Sequence, residues 1–293
     1  MSGRVWLITG ASRGLGRALV DRVLDVGDTV IATVRGEADL PAHERLVVDH
    51  LDVRDRSAAR AVVSSVVEKF GRLDVLVDNA GHGAVGAIEE TTEQEARDIV
   101  DTNFFGALWL SQAAVEVMRP RRSGHIVQIS TVGAVGAVGT MPTLGLYAAS
   151  KWALEAFSEA MAAEVKDFGI RVSIAELGAV DTQWGTGSMR FSSPSPDYDD
   201  LRTAVFGTPD VPWPREGTGG GSAPADAAAA IVDHVRAPGD DRLRLLVGDD
   251  APGQVAEALA RRLGDYRRDE RFPATALARS ITTPIGHEGT IER

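Results

Sequence analysis

The pair best suited to move a proton is Tyr147 and Lys151, in Tyr147-Ala148-Ala149-Ser150-Lys151. On a helix the two lie one turn apart and share a face. A free phenol keeps its proton up to a pH of about 10, so a tyrosine exchanging protons near neutrality needs a cation close by, and Lys151 would supply it. The spacing alone is common, and its meaning depends on its surroundings.

A second constellation, Thr9-Gly10-Ala11-Ser12-Arg13-Gly14-Leu15-Gly16, follows an apolar run at 5–8 and precedes a helical stretch. Glycines there allow a tight turn that brings phosphate to backbone N–H groups at a helix N-terminus. Gly10, Ser12, Arg13, Gly14, Leu15 and Gly16 are therefore candidates to hold a dinucleotide. Folds that bind NAD commonly place an acidic residue at the end of the second strand to hold the ribose hydroxyls. Here the segment reads Ala32-Thr33-Val34-Arg35, without a carboxylate. Arg35, with Arg13 as a second guanidinium and Ser12 as a hydroxyl donor, suits an adenosine 2′-phosphate. The expected cofactor is NADP(H).

The elements that must position these groups alternate. Apolar runs at 5–8, 29–34, 46–48, 75–77, 125–129, 172–174 and 243–247 predict strands, and stretches at 15–26, 56–70, 94–118, 147–168 and 224–235 predict helices. The expected fold class is α/β: a doubly wound, Rossmann-like seven-stranded parallel sheet with helices on both faces. With 293 residues and 44% hydrophobic content, one domain spanning 1–293 is expected. The rhythm breaks over 183–222, where Trp184, Phe191, Tyr198, Phe206 and Trp213 suggest a mobile substrate lid; the plain alternative is a surface excursion whose aromatics cap the sheet. An irregular tail is expected from about residue 270.

With these pieces in place the chain resembles the short-chain dehydrogenase/reductase family, in its single-domain Thr-Gly-x-x-x-Gly-x-Gly branch, over about residues 4–250. Thr9–Gly16, Asp52-Val53, Asn79-Ala80-Gly81, Asn103, Ser130-Thr131, then Tyr147 and Lys151 follow in the family's order. The resemblance implies that Asp52 and Val53 contact adenine, and that Asn79, Ala80 and Gly81 stabilise the sheet beside the cofactor. It implies that Asn103 holds a water in a proton relay to Lys151, and that Lys151 binds the nicotinamide ribose. Gly178, Val180 and Thr182 would contact the cofactor after the sixth strand. The hydroxyl that polarises the substrate oxygen is Thr131 by alignment, but the interval to Tyr147, with Gly133, Gly136 and Gly139, is longer than the family's, which leaves Ser130 open. Two departures stand out: Asp78 where the family has asparagine, and Leu177 where it has proline.

The implied activity is hydride transfer between NADP(H) and a carbonyl or alcohol carbon with Tyr147 as general acid/base, in the reductive direction, on a bulky apolar ketone or aldehyde. A non-catalytic NADP(H)-sensing protein that binds a partner is the alternative, and the presence of both Tyr147 and Lys151 counts against it. An epimerase or dehydratase of the family would call for a different glycine spacing and a larger C-terminal part. The formal charge of −11 argues against nucleic acid as a partner, and Arg119-Pro120-Arg121-Arg122 reads as a solvated loop. Four apolar residues at 5–8 are too few for a signal peptide or a membrane span, so a soluble protein that engages no membrane is expected. The lack of cysteine fits a cytoplasmic setting. The six histidines, at 43, 50, 82, 125, 234 and 287, show no metal-ligand spacing. Trp109 and Trp152 sit on helices that pair subunits in the family, so they mark either a homodimer or homotetramer contact or core.

Overall fold

Short β-branched runs buried on both faces can pair only within a sheet that helices cover on each side, and the chain builds one. In the computed structural model, seven parallel strands lie in the order β3-β2-β1-β4-β6-β7-β9: β1 (Val5–Thr9), β2 (Thr29–Val34), β3 (Leu46–His50), β4 (Val75–Asp78), β6 (Gly124–Thr131), β7 (Ile170–Leu177) and β9 (Arg244–Val247). The structure describes residues 3–136, 142–210 and 220–272. Gly139, Trp213, His287 and all but the start of the expected tail lie outside them.

One face carries α1 (Gly14–Asp25) and α9 (Pro224–Arg236), which close a core around Trp6, Ile8, Leu19, Val77 and Ile231. The other carries α2 (Arg56–Phe70), α4 (Ala107–Met118) and α6 (Gly145–Val165) over Leu7, Leu76, Leu110, Met118 and Ile126. Trp6 is fully buried, and its indole N–H finds Asp28 Oδ2 at 3.0 Å. α2 starts at Asp55, whose side chain accepts from Ser57 N and Ala58 N, and stops at Gly71 in the left-handed region.

Three features depart from the sequence reading. The single helix expected at 94–118 is α3 (Glu93–Val100), a π-helical turn at Asp101–Gly106, and then α4. A further helix, α10 (Ala251–Tyr266), follows β9 and was not expected from the sequence; only Ala251 and Ala258 are buried on it. The expected lid is built into the fold where it is described. β8 (Met189–Phe191) pairs in parallel with β5 (Gly83–Val85), and α8 (Asp199–Phe206) carries Arg202, 1% exposed, onto Glu90 at 2.6 Å. Neither short strand has the length or alternation to announce itself.

A buried polar chain crosses the sheet away from the strand ends that hold the glycine turn. Arg171 Nη2 donates to His125 Nδ1 at 2.9 Å, which makes the other ring nitrogen a donor to Ser173 Oγ at 2.8 Å. Ser173 then donates to His234 Nε2 at 2.8 Å, and His234 Nδ1–H donates to Asp240 Oδ2 at 2.8 Å. Every link is satisfied with His125 neutral. Burial first, then the Arg171 charge, holds His125 well below its ordinary value.

The unfolded chain therefore takes up a proton below about pH 6.5 that the folded chain refuses, and the stability this group contributes is lost as pH falls through that range. The expected outcome is a melting temperature that drops between pH 7 and pH 5. His125→Gln should lower it at pH 7, by a loss of about 1–3 kcal/mol, and make the pH slope shallower. Thermal scans of both proteins across that range check it.

Candidate active site

All seven strands end on the same side, and the winding reverses between β1 and β4, so a crevice opens there. The Thr9 hydroxyl bridges the reversal: its Oγ1 accepts from Asn79 N and Ala80 N, each at 3.0 Å. Asn79 Nδ2 donates back to Thr9 O at 2.8 Å and Gly10 O at 3.1 Å. The segment 79–81 thus fixes the glycine turn to β4. Gly10 has φ +64°, and a Cβ there would come within 2.9 Å of Ala80 Cα; a Cβ on Gly16 would collide with the Gly10 carbonyl.

The cleft above this turn has a volume of about 950 Å³, at the top of the range for ligand sites. Gly10, Ser12, Arg13, Gly14, Leu15, Gly16, Arg35, Asp52, Val53, Asn79, Ala80, Gly81, Gly178, Val180 and Thr182 all line it, together with Ser130, Thr131, Tyr147 and Lys151. The glycine cradle and a wall able to donate backbone N–H groups fit a dinucleotide lying on the α1 N-terminus. Arg35 is exposed at the end of β2. Arg13, in the same cleft, donates through Nη2 to Gly187 O at 2.6 Å and to Ser188 Oγ at 2.9 Å, at the end of α7 (Trp184–Gly187). Asp52 is engaged by Arg54 at 2.6 Å, which holds its carboxyl below the usual range. Thr182 packs toward Gly14, and Gly178 N donates to Val247 O at 2.8 Å.

Tyr147 is the third residue of α6, buried, with its hydroxyl hydrogen-bonded to Thr131 at the end of β6. Ser130 lies next along the strand and its Oγ donates to Glu155 Oε1 at 2.5 Å, so the Tyr147 contact is made by Thr131 and not by Ser130. Burial pushes the phenol up to about 12, opposed by the Thr131 hydrogen bond. The sequence reading expects the lysine to lower that value. In this structure the Lys151 ammonium donates to Ile129 O at 2.7 Å, and its neighbouring charges are Asp78 and Glu155. Burial brings Lys151 down to about 8.

Asn103 sits in the π-helical turn, a common device where a side chain must be re-aimed at a site. Its Nδ2 donates to His82 O at 2.9 Å and Ser150 Oγ at 3.0 Å, and its Oδ1 accepts from His82 N at 3.0 Å. The side chain thereby ties the 81–82 turn to α6. Its two amide hydrogens are both committed to protein, to His82 O and Ser150 Oγ.

The outer wall of the cleft comes largely from aromatics that the sequence reading named as a substrate lid. Leu144, Trp184, Phe191 and Phe206 line it, and the Trp184 ring lies 5.1 Å from that of Tyr147. His82 lines it as well, held neutral by burial at about 4. Trp184, Phe191 and Phe206 were visible as aromatics in the irregular stretch; folding sets the Trp184 ring beside that of Tyr147.

With this geometry in view, comparison with known proteins is direct. Residues 4–190 match the short chain dehydrogenase family. "Oxidoreductase BOA17" of Botryotinia fuckeliana is 36% identical over 284 residues, covering 94% of this chain and 98% of its own. A 3-ketodihydrosphingosine reductase of Bacteroides thetaiotaomicron is 37% identical over 182 residues, covering 62% of this chain and 66% of its own. A short-chain dehydrogenase from Streptomyces avermitilis superposes with a TM-score of 0.80 at 36% identity, covering 97% of this chain and all of that one. The chain belongs to the short-chain dehydrogenase/reductase family and is an oxidoreductase that uses a nicotinamide cofactor. No helix among the described residues is long and apolar enough to cross a membrane.

Gly16→Ala should abolish nicotinamide binding, because the added methyl must displace the Gly10 carbonyl from the phosphate turn. Titration of cofactor fluorescence against the variant, with its circular dichroism spectrum unchanged, is the check.

Proposed function

We propose that the chain is an NADP(H)-dependent reductase of a bulky, mainly apolar ketone or aldehyde, with Tyr147 as the proton donor. The observation that carries this reading is the buried Tyr147 hydroxyl bonded to Thr131, in one cleft with Lys151 and the glycine turn. When bound, the reduced nicotinamide supplies the hydride. Tyr147 keeps its proton at neutral pH and gives it to the carbonyl oxygen as negative charge develops there. Thr131, bonded to the same hydroxyl, polarises that oxygen. Lys151 has N–H groups beyond the one given to Ile129, which suit the nicotinamide ribose. Thr182, beside Gly14, suits the nicotinamide carboxamide or phosphate.

Arg35 supports the phosphorylated cofactor, since an exposed guanidinium stands just past β2 where a ribose-binding acid would otherwise be. The aromatic wall of Trp184, Phe191 and Phe206 supports an apolar substrate, in keeping with a relative whose name is that of a keto-compound reductase. We read residues 183–222 as the substrate side of a single domain. The absence of cysteine fits a cytoplasmic setting. Trp109 stacks inside the molecule on Phe105 at 5.5 Å, whereas Trp152 is 51% exposed under Arg262 and is the better candidate for a homodimer or homotetramer contact.

Tyr147→Phe should lower kcat for ketone reduction by about 10²–10⁴-fold while leaving the Kd for NADPH unchanged. Turnover equal to wild type across a ketone panel would rule out Tyr147 as the acid. Arg35→Ala should weaken NADPH by about 10–100-fold and NADH little, the worth of a charge-assisted contact to phosphate. Parallel Kd measurements with the two cofactors decide that, and equal losses would remove the case for NADP(H).

A further inference from the structure

The loop that leaves β7 carries Gly178, Val180 and Thr182, and it opens on Leu177 where the family has proline. Leu177 is in register with Thr131, whose side chain is bonded to the Tyr147 hydroxyl, so the loop starts at the reacting end of the cleft. A proline restricts the backbone around it, and leucine does not. This loop is held by other means. Ser222 lies alongside Val180 in a parallel bridge; its N–H donates to Ala179 O at 3.0 Å and its carbonyl accepts from Asp181 N at 2.9 Å.

The second hold is Asp250, at the start of α10 and beyond the residues 4–190 that match the family. An aspartate in that place ordinarily accepts from the first N–H groups of its own helix. Asp250 makes no such bond. Its two carboxylate oxygens accept instead from Ala179 N, at 3.0 and 3.2 Å, 71 residues back along the chain. Gln254, one turn into α10, donates to Oδ2 at 2.6 Å and keeps the carboxylate turned that way. The approach is so close that a Cβ on Gly178 would overlap Asp250 Oδ1. Asp249 N donates to Ser222 Oγ at 3.3 Å, which joins the two holds. Asp250 and Gln254 both line the cleft.

We propose that Asp250 is a positioning residue for the nicotinamide end of the cofactor: its carboxylate clamps the 178–182 loop where the family uses proline. The start of α10 thereby completes the cofactor site. The proposal rests on the reading that this loop receives the nicotinamide.

The test compares each dinucleotide with the fragment of it that lacks nicotinamide, NADPH with 2′-phospho-ADP-ribose and NADH with ADP-ribose, by calorimetric titration. Asp250→Ala should raise the Kd of the dinucleotide by about 10-fold, the worth of a charge-assisted contact, and leave that of its fragment unchanged. Asp250→Asn keeps an acceptor oxygen for Ala179 N without the charge, and should recover part of the loss. Equal losses for dinucleotide and fragment, or none for either, overturn the proposal. A merely structural role lowers the melting temperature and opens no gap between the two ligands. Thr182→Val separates the clamp from the reading beneath it. A selective loss in Thr182→Val with none in Asp250→Ala overturns the clamp alone; no selective loss in either variant removes the nicotinamide assignment of the loop, and the clamp with it. No turnover is read, so the outcome depends neither on the ketone nor on which dinucleotide the chain prefers.

Discussion

The Thr9 hydroxyl sits where the sheet changes its direction of winding, and the rest of the site is hung from that point. It accepts from two successive backbone N–H groups of the β4 exit, while Asn79 returns two bonds to the β1 exit. Those four contacts tie the two strand ends together just beyond the last rungs of the β1–β4 ladder. The glycine turn, the 79–81 turn and, through Asn103, the start of α6 then keep fixed positions around one crevice. A doubly wound sheet makes a crevice at this place by topology alone. What this chain adds is the side-chain bridging that keeps it rigid enough for chemistry.

Around that frame the electrostatics are those of burial and not of exposed charge. Tyr147, Lys151 and Asp78 are all withdrawn from water, and each is shifted toward its neutral form by that withdrawal. A phenol that keeps its proton suits an acid. Burial draws the lysine down to about 8 against the opposing pull of Asp78 and Glu155. The second buried network, from Arg171 through His125, Ser173 and His234 to Asp240, contains serine, histidine and aspartate in hydrogen-bonded sequence. It reaches no cleft, since Ser173 is 2% exposed, and its polar atoms are consumed in joining β6, β7 and α9.

The outer half of the cleft has a different origin. Two three-residue strands, β5 and β8, pair across a separation of more than 100 residues, and the Trp184 ring lies beside that of Tyr147. Glu90 receives Arg202 and the Ser195 N–H, and Tyr198 reaches Glu89 at 2.6 Å, so the irregular segment is pinned at several points along its described length. The outer wall of the cleft is therefore built into the fold where it is described, although nothing periodic in the residues shows it.

Seven strands, five helices, the glycine turn and the order of the reactive residues were legible in the amino-acid sequence. Each rests on local physics: apolar runs that must be buried on both faces, glycine where phosphate and backbone approach, and one helical turn between Tyr147 and Lys151. Folding alone decided between Thr131 and Ser130, because strand alternation turns one toward Tyr147 and the other toward Glu155. It alone joined Arg13 to the end of α7, replaced a continuous helix by a π-helical turn at Asn103, and assembled the aromatic wall. It also gave the Lys151 ammonium to Ile129 O and buried Tyr147, and that burial raises the phenol's affinity for its proton, whereas the spacing of the two residues had suggested that it would be lowered. Residue spacing fixes which groups can meet, but the direction of a side chain and the water removed from around it are properties of the packed whole.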